Sequence, residues 1–208
     1  MPITPIVDEH LLIVCGPSGA GKSTLIADLL ANRPAAQLSV SYTTRAPRGQ
    51  EVDGQDYHFT HKDHFLRLID DQALAEWAEV HGNYYGSPKS TIADVATQHR
   101  TLIFDIDFQG AIQLKNGYPL AWSVLIAPPS MAVLSQRLRA RATDSESSIV
   151  KRLAKATEEL SHHKRFDFLV VNHDLAAAKR ELTAIFDALA LRQHRRALQT
   201  RCLESFFP

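Results

Sequence analysis

Cysteine is nearly absent from this 208-residue chain: only Cys15 and Cys202 occur. That leaves no basis for a disulfide framework and points to a reducing, cytoplasmic setting. No charge of one sign accumulates either. The 23 Lys and Arg balance 23 Asp and Glu, for a formal net charge of +0. Such a balance carries no signature of a nucleic-acid or membrane-surface partner. No apolar run approaches the length of a membrane span. The opening Met1-Pro2-Ile3-Thr4-Pro5 lacks the basic region and long apolar stretch expected of a secretion signal. Internal repeats and low-complexity linkers are missing. The ten histidines, His162-His163 included, fall into no metal-ligand spacing. What remains is ordinary globular material, 45% hydrophobic and 22% charged, enough for one α/β domain with a small inserted lobe.

The strongest positive feature is Gly16-Pro17-Ser18-Gly19-Ala20-Gly21-Lys22-Ser23, with Thr24 following. It fits G-x-x-x-x-G-K-[ST], a loop that wraps nucleotide phosphates. Its flanks suit the motif. Leu11–Cys15 is an apolar run that reads as a buried strand. After the loop, Leu25, Ile26, Leu29 and Leu30 recur at helical spacing up to Asn32. Glycines let backbone N–H groups turn toward an anion, and a helix N-terminus adds its positive dipole end. Lys22 is expected to reach the β- and γ-phosphates, and the Ser23 hydroxyl to reach Mg²⁺.

Further strands are predicted at 38–41, Thr101–Asp105, Trp122–Ala127 and 168–172, each later one followed by a helix signal. Ser130 and Asp174 are plausible N-caps of two such helices. This alternation argues for a parallel sheet covered by helices. Residues 41–100 break the rhythm. They hold a turn-rich polar stretch, a short helix at 63–71, a strand-like Leu74–Val80, a Gly82-Asn83 turn and a helix after Pro88. A second interruption at 137–152, rich in Arg and small polar residues, reads as a mobile cover over the phosphate site.

Three further groupings suggest a second substrate. Arg45 and Arg48, with Tyr57, can grip a phosphate dianion through forked hydrogen bonds. Carboxylates Glu76 and Asp107, with the hydroxyls of Ser41 and Ser87, match a guanine edge. That edge offers N1–H and a 2-amino group as donors and O6 as acceptor. Taken singly, Glu76 beside Trp77 is more often a surface residue. Asp105-Ile106-Asp107 ends an apolar strand, and alternation places both aspartates on one face. Ligands of open α/β sheets bind at the carboxyl ends of strands. Asp105 could hold Mg²⁺ or its waters beside Ser23, and Asp107 could look toward the second substrate.

Taken together, these segments resemble the guanylate kinase family, of the bacterial type. The resemblance is carried by residues 16–24, Ser39-Val40-Ser41-Tyr42-Thr43-Thr44-Arg45 and Glu51-Val52-Asp53-Gly54 running to Tyr57. It continues through Glu76-Trp77-Ala78-Glu79-Val80, Gly82-Asn83-Tyr84-Tyr85-Gly86-Ser87, and Asp105-Ile106-Asp107 with Gln109-Gly110. Arg137-Leu138 with Arg141 and Thr143, Lys151-Arg152-Leu153 and Val170-Val171-Asn172 complete it. The segments span roughly residues 10–190 and are specific as a set.

The resemblance implies a P-loop nucleoside monophosphate kinase fold: a five-stranded parallel sheet flanked by helices, with an inserted GMP-binding lobe and a lid. The core would be 8–40, 99–136 and 153–190, the lobe 41–98 and the lid 137–152, with a helical tail at 190–208. It implies ATP-dependent phosphorylation of GMP, and of dGMP, to the diphosphate with Mg²⁺. Ser41, Glu76, Ser87 and Asp107 would read guanine, and Arg45, Arg48, Tyr57 and Tyr85 would hold the GMP phosphate. Lys22, Arg137, Arg141 and Arg152 would surround the transferred group, and Asn172 would lie near the adenine of ATP. The sequence departs from the family pattern at Gly49-Gln50, Pro88, Ala142 and His173. Two other readings stand beside this one: a non-catalytic phosphopeptide-binding module, and a kinase for another phosphorylated acceptor such as a ribose bisphosphate. Retention of Lys22, Ser23 and Asp105 counts against the first, and the four guanine-reading positions count against the second. The basic C-terminal segment, with Phe206-Phe207, is either a frayed helix end or a homo-oligomer contact.

Overall fold

The computed structural model describes residues 7–80, 82–98, 100–140 and 146–192. Five strands, β1 (Leu11–Cys15), β2 (Ala36–Leu38), β7 (Thr101–Asp105), β8 (Trp122–Ala127) and β9 (Phe168–Val171), form one sheet in the order β2-β7-β1-β8-β9. Every pairing in it is parallel. All five residues of β1 are buried. A central parallel strand is covered on both faces, which is why its sequence is an unbroken apolar run.

Alternation divides that run between two cores. Leu12 and Val14 pack with Leu25, Ile26 and Leu29 of α1 (Lys22–Asn32) and Leu182 and Phe186 of α7 (Leu175–Ala190). Leu11 and Ile13 pack with Ile92 and Val95 of α3 (Ser90–Thr97) and Ala111 and Leu114 of α4 (Phe108–Gly117). A smaller cluster joins Leu134 and Leu138 of α5 (Met131–Ala140) to Ile149 and Ala156 of α6 (Glu146–Ser161). The two predicted caps form: Ser130 Oγ accepts from the Val133 N–H at 3.2 Å, and Asp174 from the Ala177 N–H at 2.7 Å.

The segment between β2 and β7 builds a second sheet. Its strands are β3 (Tyr42–Thr43), β4 (His58–Phe59), β5 (Leu74–Val80) and β6 (Asn83–Pro88), in the order β4-β3-β6-β5, with α2 (Lys62–Asp70) packed beside them. β5 and β6 are an antiparallel hairpin that sets Glu76 opposite Ser87. Leu74, Glu76 and Ala78 share the buried face of β5. The pleat, with an irregularity in the pairing between Leu74 and Glu76, carries a carboxylate inward between two apolar side chains.

Three expectations are corrected. The strand placed at 38–41 is Ala36–Leu38, because Ser39 to Ser41 carry the chain from one sheet to the other; Ser39 N–H still reaches the Ile103 carbonyl at 2.8 Å. The Gly82-Asn83 turn is followed by strand β6, whose Tyr- and Gly-rich sequence hides its alternation. Asp107 does not share a strand face with Asp105: β7 ends at Asp105, and Asp107 is the N-cap of α4. The cover expected at 137–152 is helical at its described ends, 137–140 in α5 and 146–152 in α6. Arg141, Ala142 and Thr143 lie outside the described residues, as do Cys202, Phe206-Phe207 and the tail from residue 193. Arg192 folds back, donating to the Leu120 carbonyl at 2.6 Å with its guanidinium 5.4 Å from the Trp122 ring centre.

Candidate functional site

The glycine loop leaves the carboxyl end of β1 and runs into α1. Gly21 takes φ +101°, and a Cβ there would stand 2.3 Å from Asn172 Nδ2. Only glycine allows both the conformation and the approach. Asn172, just past β9, braces the loop by donating to the Ala20 carbonyl at 2.8 Å. Arg137 on α5 reaches the same carbonyl at 3.4 Å and the Asn172 carbonyl at 3.1 Å. Lys22 curls over the loop, donating to the Gly16 carbonyl at 2.6 Å, with its ammonium 3.8 Å from Asp105. Burial raises the Asp105 carboxyl above its ordinary range, and the Lys22 charge opposes that rise. Cys15, directly behind the loop, is buried and unreactive; desolvation pushes its thiol up to about 12.

Facing the loop across a cleft of about 340 Å³ are Ser41, Tyr57, Glu76, Tyr85 and Asp107. Glu76 is 4% exposed and accepts from Ser87 Oγ at 2.7 Å. Ser87 has spent its one proton there, so the 3.1 Å contact to Ser41 Oγ is donated by Ser41. The other Glu76 oxygen lies against the first turn of α4, where a Cβ on Gly110 would come within 2.3 Å of it. Gly110 also donates its N–H to Asp107 at 3.0 Å. Desolvation raises Glu76 to about 7; the Ser87 hydrogen bond opposes the rise and the Asp107 charge adds to it.

Arg45 is buried beneath this wall. It forks onto Glu51 with two 2.9 Å bonds, donates to the Ala46 carbonyl at 2.7 Å, and lies 5.3 Å from the Tyr57 ring centre. Glu51 also accepts the Arg48 N–H at 2.7 Å, which closes the turn through Gly49. Tyr57 and Tyr85 meet edge to face at 6.0 Å.

The predicted residues, Arg141 outside the described part aside, divide into four sets. Lining the cleft are Gly16, Pro17, Ser18, Gly19, Gly21, Lys22, Ser23 and Thr24 with Ser41, Tyr57, Glu76, Tyr85, Asp105, Asp107 and Arg152. Ala20 is fully buried under the loop, and Ser87 acts on the cleft through Glu76. Arg137 and Asn172 line an adjoining groove with Gly19, Gly21, Thr24 and His173. Arg45 and Arg48 border neither cavity. Two charged residues escaped the sequence reading: Lys155 and Glu159 also line the cleft, beside the apolar Ala78, Val80, Ile106 and Ala156. Their signal was helical spacing from Arg152, three and seven residues along. Burial raises the Glu159 carboxyl, and Lys155 opposes that rise.

The arrangement pairs a phosphate cradle with a polar pocket for a second ligand bearing hydrogen-bond donors. Hard oxygen donors, Ser23 and Asp105, stand at the cradle's mouth. They suit a magnesium ion that keeps most of its shell from water and phosphate. Among the described residues no cluster of three or more His, Cys, Asp or Glu could hold a metal by itself. None of the described helices is long and apolar enough to cross a membrane.

Comparison with known proteins agrees with this geometry. The family model for guanylate kinase matches residues 8–189. The guanylate kinase of Nitratidesulfovibrio vulgaris is 51% identical over 176 residues, covering 85% of each chain. That of Shewanella sp. is 50% identical over 177 residues, covering 85% of this chain and 86% of the other. The crystal structure of guanylate kinase from Anaplasma phagocytophilum superposes with a TM-score of 0.74 at 33% identity, covering 95% of both chains.

Proposed function

The chain belongs to the guanylate kinase family, and from that premise we propose how its residues divide the work of the reaction. That reaction is ATP-dependent phosphorylation of GMP, giving GDP and ADP. ATP lays its phosphates in the glycine loop against Lys22 and the N-terminus of α1. Its adenine occupies the groove beside Asn172 and Arg137. GMP enters from the side of the second sheet, so residues 41–98 form the acceptor lobe. Glu76 and Asp107 accept from N1–H and the 2-amino group, while the Ser41 and Ser87 hydroxyls complete the base edge. Tyr57 and Tyr85 receive the phosphate at the cleft, and Arg45 and Arg48, set back from it, reach the phosphate as the lobe closes on GMP. Adenine would leave the carboxylates facing an acceptor and an empty edge, which a buried site penalises heavily.

The nucleophile is a phosphate oxygen of GMP. Its second pKa is about 6, so it is mostly dianionic at neutral pH and needs no general base. The difficulty is bringing two polyanions together. Lys22, Arg137, Arg141 and Arg152 offset that repulsion and stabilise charge on the equatorial oxygens. Ser23 and Asp105 would hold Mg²⁺, which supplies further positive charge at the phosphates. Closure of 137–152 over the cleft would exclude water and so suppress hydrolysis of ATP. A cytoplasmic site of action accords with a free, buried Cys15.

One observation carries this reading: Lys22 and the Ser41–Ser87–Glu76 network open onto the same cleft. A substrate panel of GMP, dGMP, AMP, UMP and ribose phosphates, read as ADP formed, tests it. GMP and dGMP are expected to be the acceptors, and AMP turned over as fast as GMP would overturn the base assignment.

A further inference from the structure

Lys155 is a charged group of the cleft to which phosphoryl transfer assigns no task. It stands on α6 between Arg152 and Glu159, on the side that lines the cavity. Its ammonium is 3.5 Å from Asp107 Oδ2 and 3.8 Å from Glu159. Asp107 Oδ1 is already fixed by the Gly110 N–H. The carboxylate is therefore held from both ends, by the cap of α4 on one oxygen and by α6 on the other. Gln109 Nε2 also donates to Oδ2, at 3.4 Å, and both contacts on that oxygen are long, which leaves it lone-pair capacity toward the cavity. Glu76 repels Asp107 from the adjoining wall, and Lys155 supplies the opposing charge on the cleft side.

We propose that Lys155 is a positioning residue for acceptor recognition, holding Asp107 where the exocyclic amine of the base docks and tying helix α6 to the acceptor. The proposal rests on the reading of Glu76 and Asp107 as the guanine-binding pair. Acting through Asp107, Lys155 governs affinity and discrimination for the 2-amino group rather than the phosphoryl step. Arg152, one turn away on the same helix, is thereby placed relative to the bound acceptor.

The test uses the full chain with K155Q, K155M and K155R. Each is assayed for kcat and KM with GMP, for GMP binding by calorimetry without ATP, and for inhibition by inosine monophosphate, which lacks only the 2-amino group. Melting temperatures confirm folding, and K155M keeps the aliphatic stem if K155Q melts early. In K155Q the KM and Kd for GMP should rise about tenfold, with kcat reduced less than about threefold and inosine monophosphate weakened less than about twofold. K155R should recover most of the loss. Equal weakening of both nucleotides, or a fall in kcat at constant KM, overturns the proposal. If the wild-type chain phosphorylates GMP and K155Q matches it, the role of Lys155 alone fails. If the wild-type chain does not phosphorylate GMP, the acceptor reading fails and takes the proposal with it.

Discussion

On one wall of the cleft the chain offers backbone; on the other it offers side chains. The donor wall is residues 16–24, contiguous, seated on the carboxyl end of a parallel sheet whose central strand is buried on both faces. The acceptor wall is gathered from Ser41, Glu76, Ser87 and Asp107, on the second sheet, the segment that leads into it and a helix cap. The donor wall recognises charge, which every phosphate has, and a loop of amides with one Lys suffices. The acceptor wall must recognise a pattern of donors, and that requires buried carboxylates. Burial has a cost: Glu76 sits at about 7, so the acceptor wall is built against its own stability, and the donor wall is not.

The largest expected effect breaks the donor wall alone. In Lys22→Ala, kcat should fall on the order of a thousandfold, because a cation facing the transferred group is lost. KM for GMP should stay within a few-fold. Steady-state kinetics at saturating ATP measure both; a loss under tenfold, or a matching rise in KM for GMP, would merge the two walls functionally.

Next is Glu76→Gln, which should raise KM for GMP about a hundredfold, since two charge-assisted bonds are weakened. It should also stabilise the empty protein. The folded-state pKa of Glu76 lies above the ordinary glutamate value of 4.5. Its stabilising contribution is therefore fully present below that value and lost as pH rises through about 7. The variant should accordingly be more stable than wild type near pH 8, by an amount on the order of 1–3 kcal/mol, and the two should coincide below about pH 4.5. In the wild type, GMP affinity should climb between about pH 6 and pH 8 as Glu76 ionises, and the variant should show only the smaller climb due to the GMP phosphate. Melting curves across pH that coincide for both proteins would remove the claimed cost.

The same contrast sets what was legible from sequence. The donor wall was, because its residues are consecutive and its flanking strand and helix are strongly periodic. The β1 run Leu11–Cys15 reads as buried on both faces and is. The acceptor wall was legible only through resemblance, since nothing local shows residues 41, 76, 87 and 107 meeting. One local signal was under-read: in β5 the alternation Leu74, Glu76, Ala78 already turns Glu76 inward. Strand β3 is two residues long, too short for any periodicity. Lys155 and Glu159 fall between the matched segments 151–153 and 170–172 and betray themselves only once the helix is known to run on to Ser161. The capture of Arg45 by Glu51 needs the folded turn and has no sequence counterpart.

A smaller perturbation sharpens the acceptor wall further. Gly110→Ala places a methyl group within 2.3 Å of the Glu76 carboxylate, while helix propensity improves. The carboxylate must shift, so KM for GMP should rise about tenfold, with KM for ATP unchanged. An equal effect on both nucleotides would mean that α4 supports the cleft as a whole rather than the acceptor wall.

The smallest effect comes from the opposite end of the parallel sheet. Asp167, just ahead of β9, accepts from Lys115 at 2.7 Å and from the Ser123 N–H and Oγ at 2.8 Å each. These groups sit where β8 and β9 begin, away from the carboxyl edge that carries the loop. Burial works to raise the Asp167 carboxyl, but its bonds to Lys115 and Ser123 prevail and hold it below the ordinary range. Its contribution is therefore present above the unfolded value and lost as pH falls through the folded one. Asp167→Ala should cost only about 1 kcal/mol at neutral pH, because the side chain is partly exposed and its hydrogen bonds exchange with water. The difference from wild type should vanish in acid. Denaturant melts at neutral and acid pH, run beside steady-state kinetics, measure this, and kcat and both KM values should stay put. A change in KM for either nucleotide would show that strain at the amino ends of the strands reaches the cleft, and the two walls could no longer be treated as separate from the sheet that carries them.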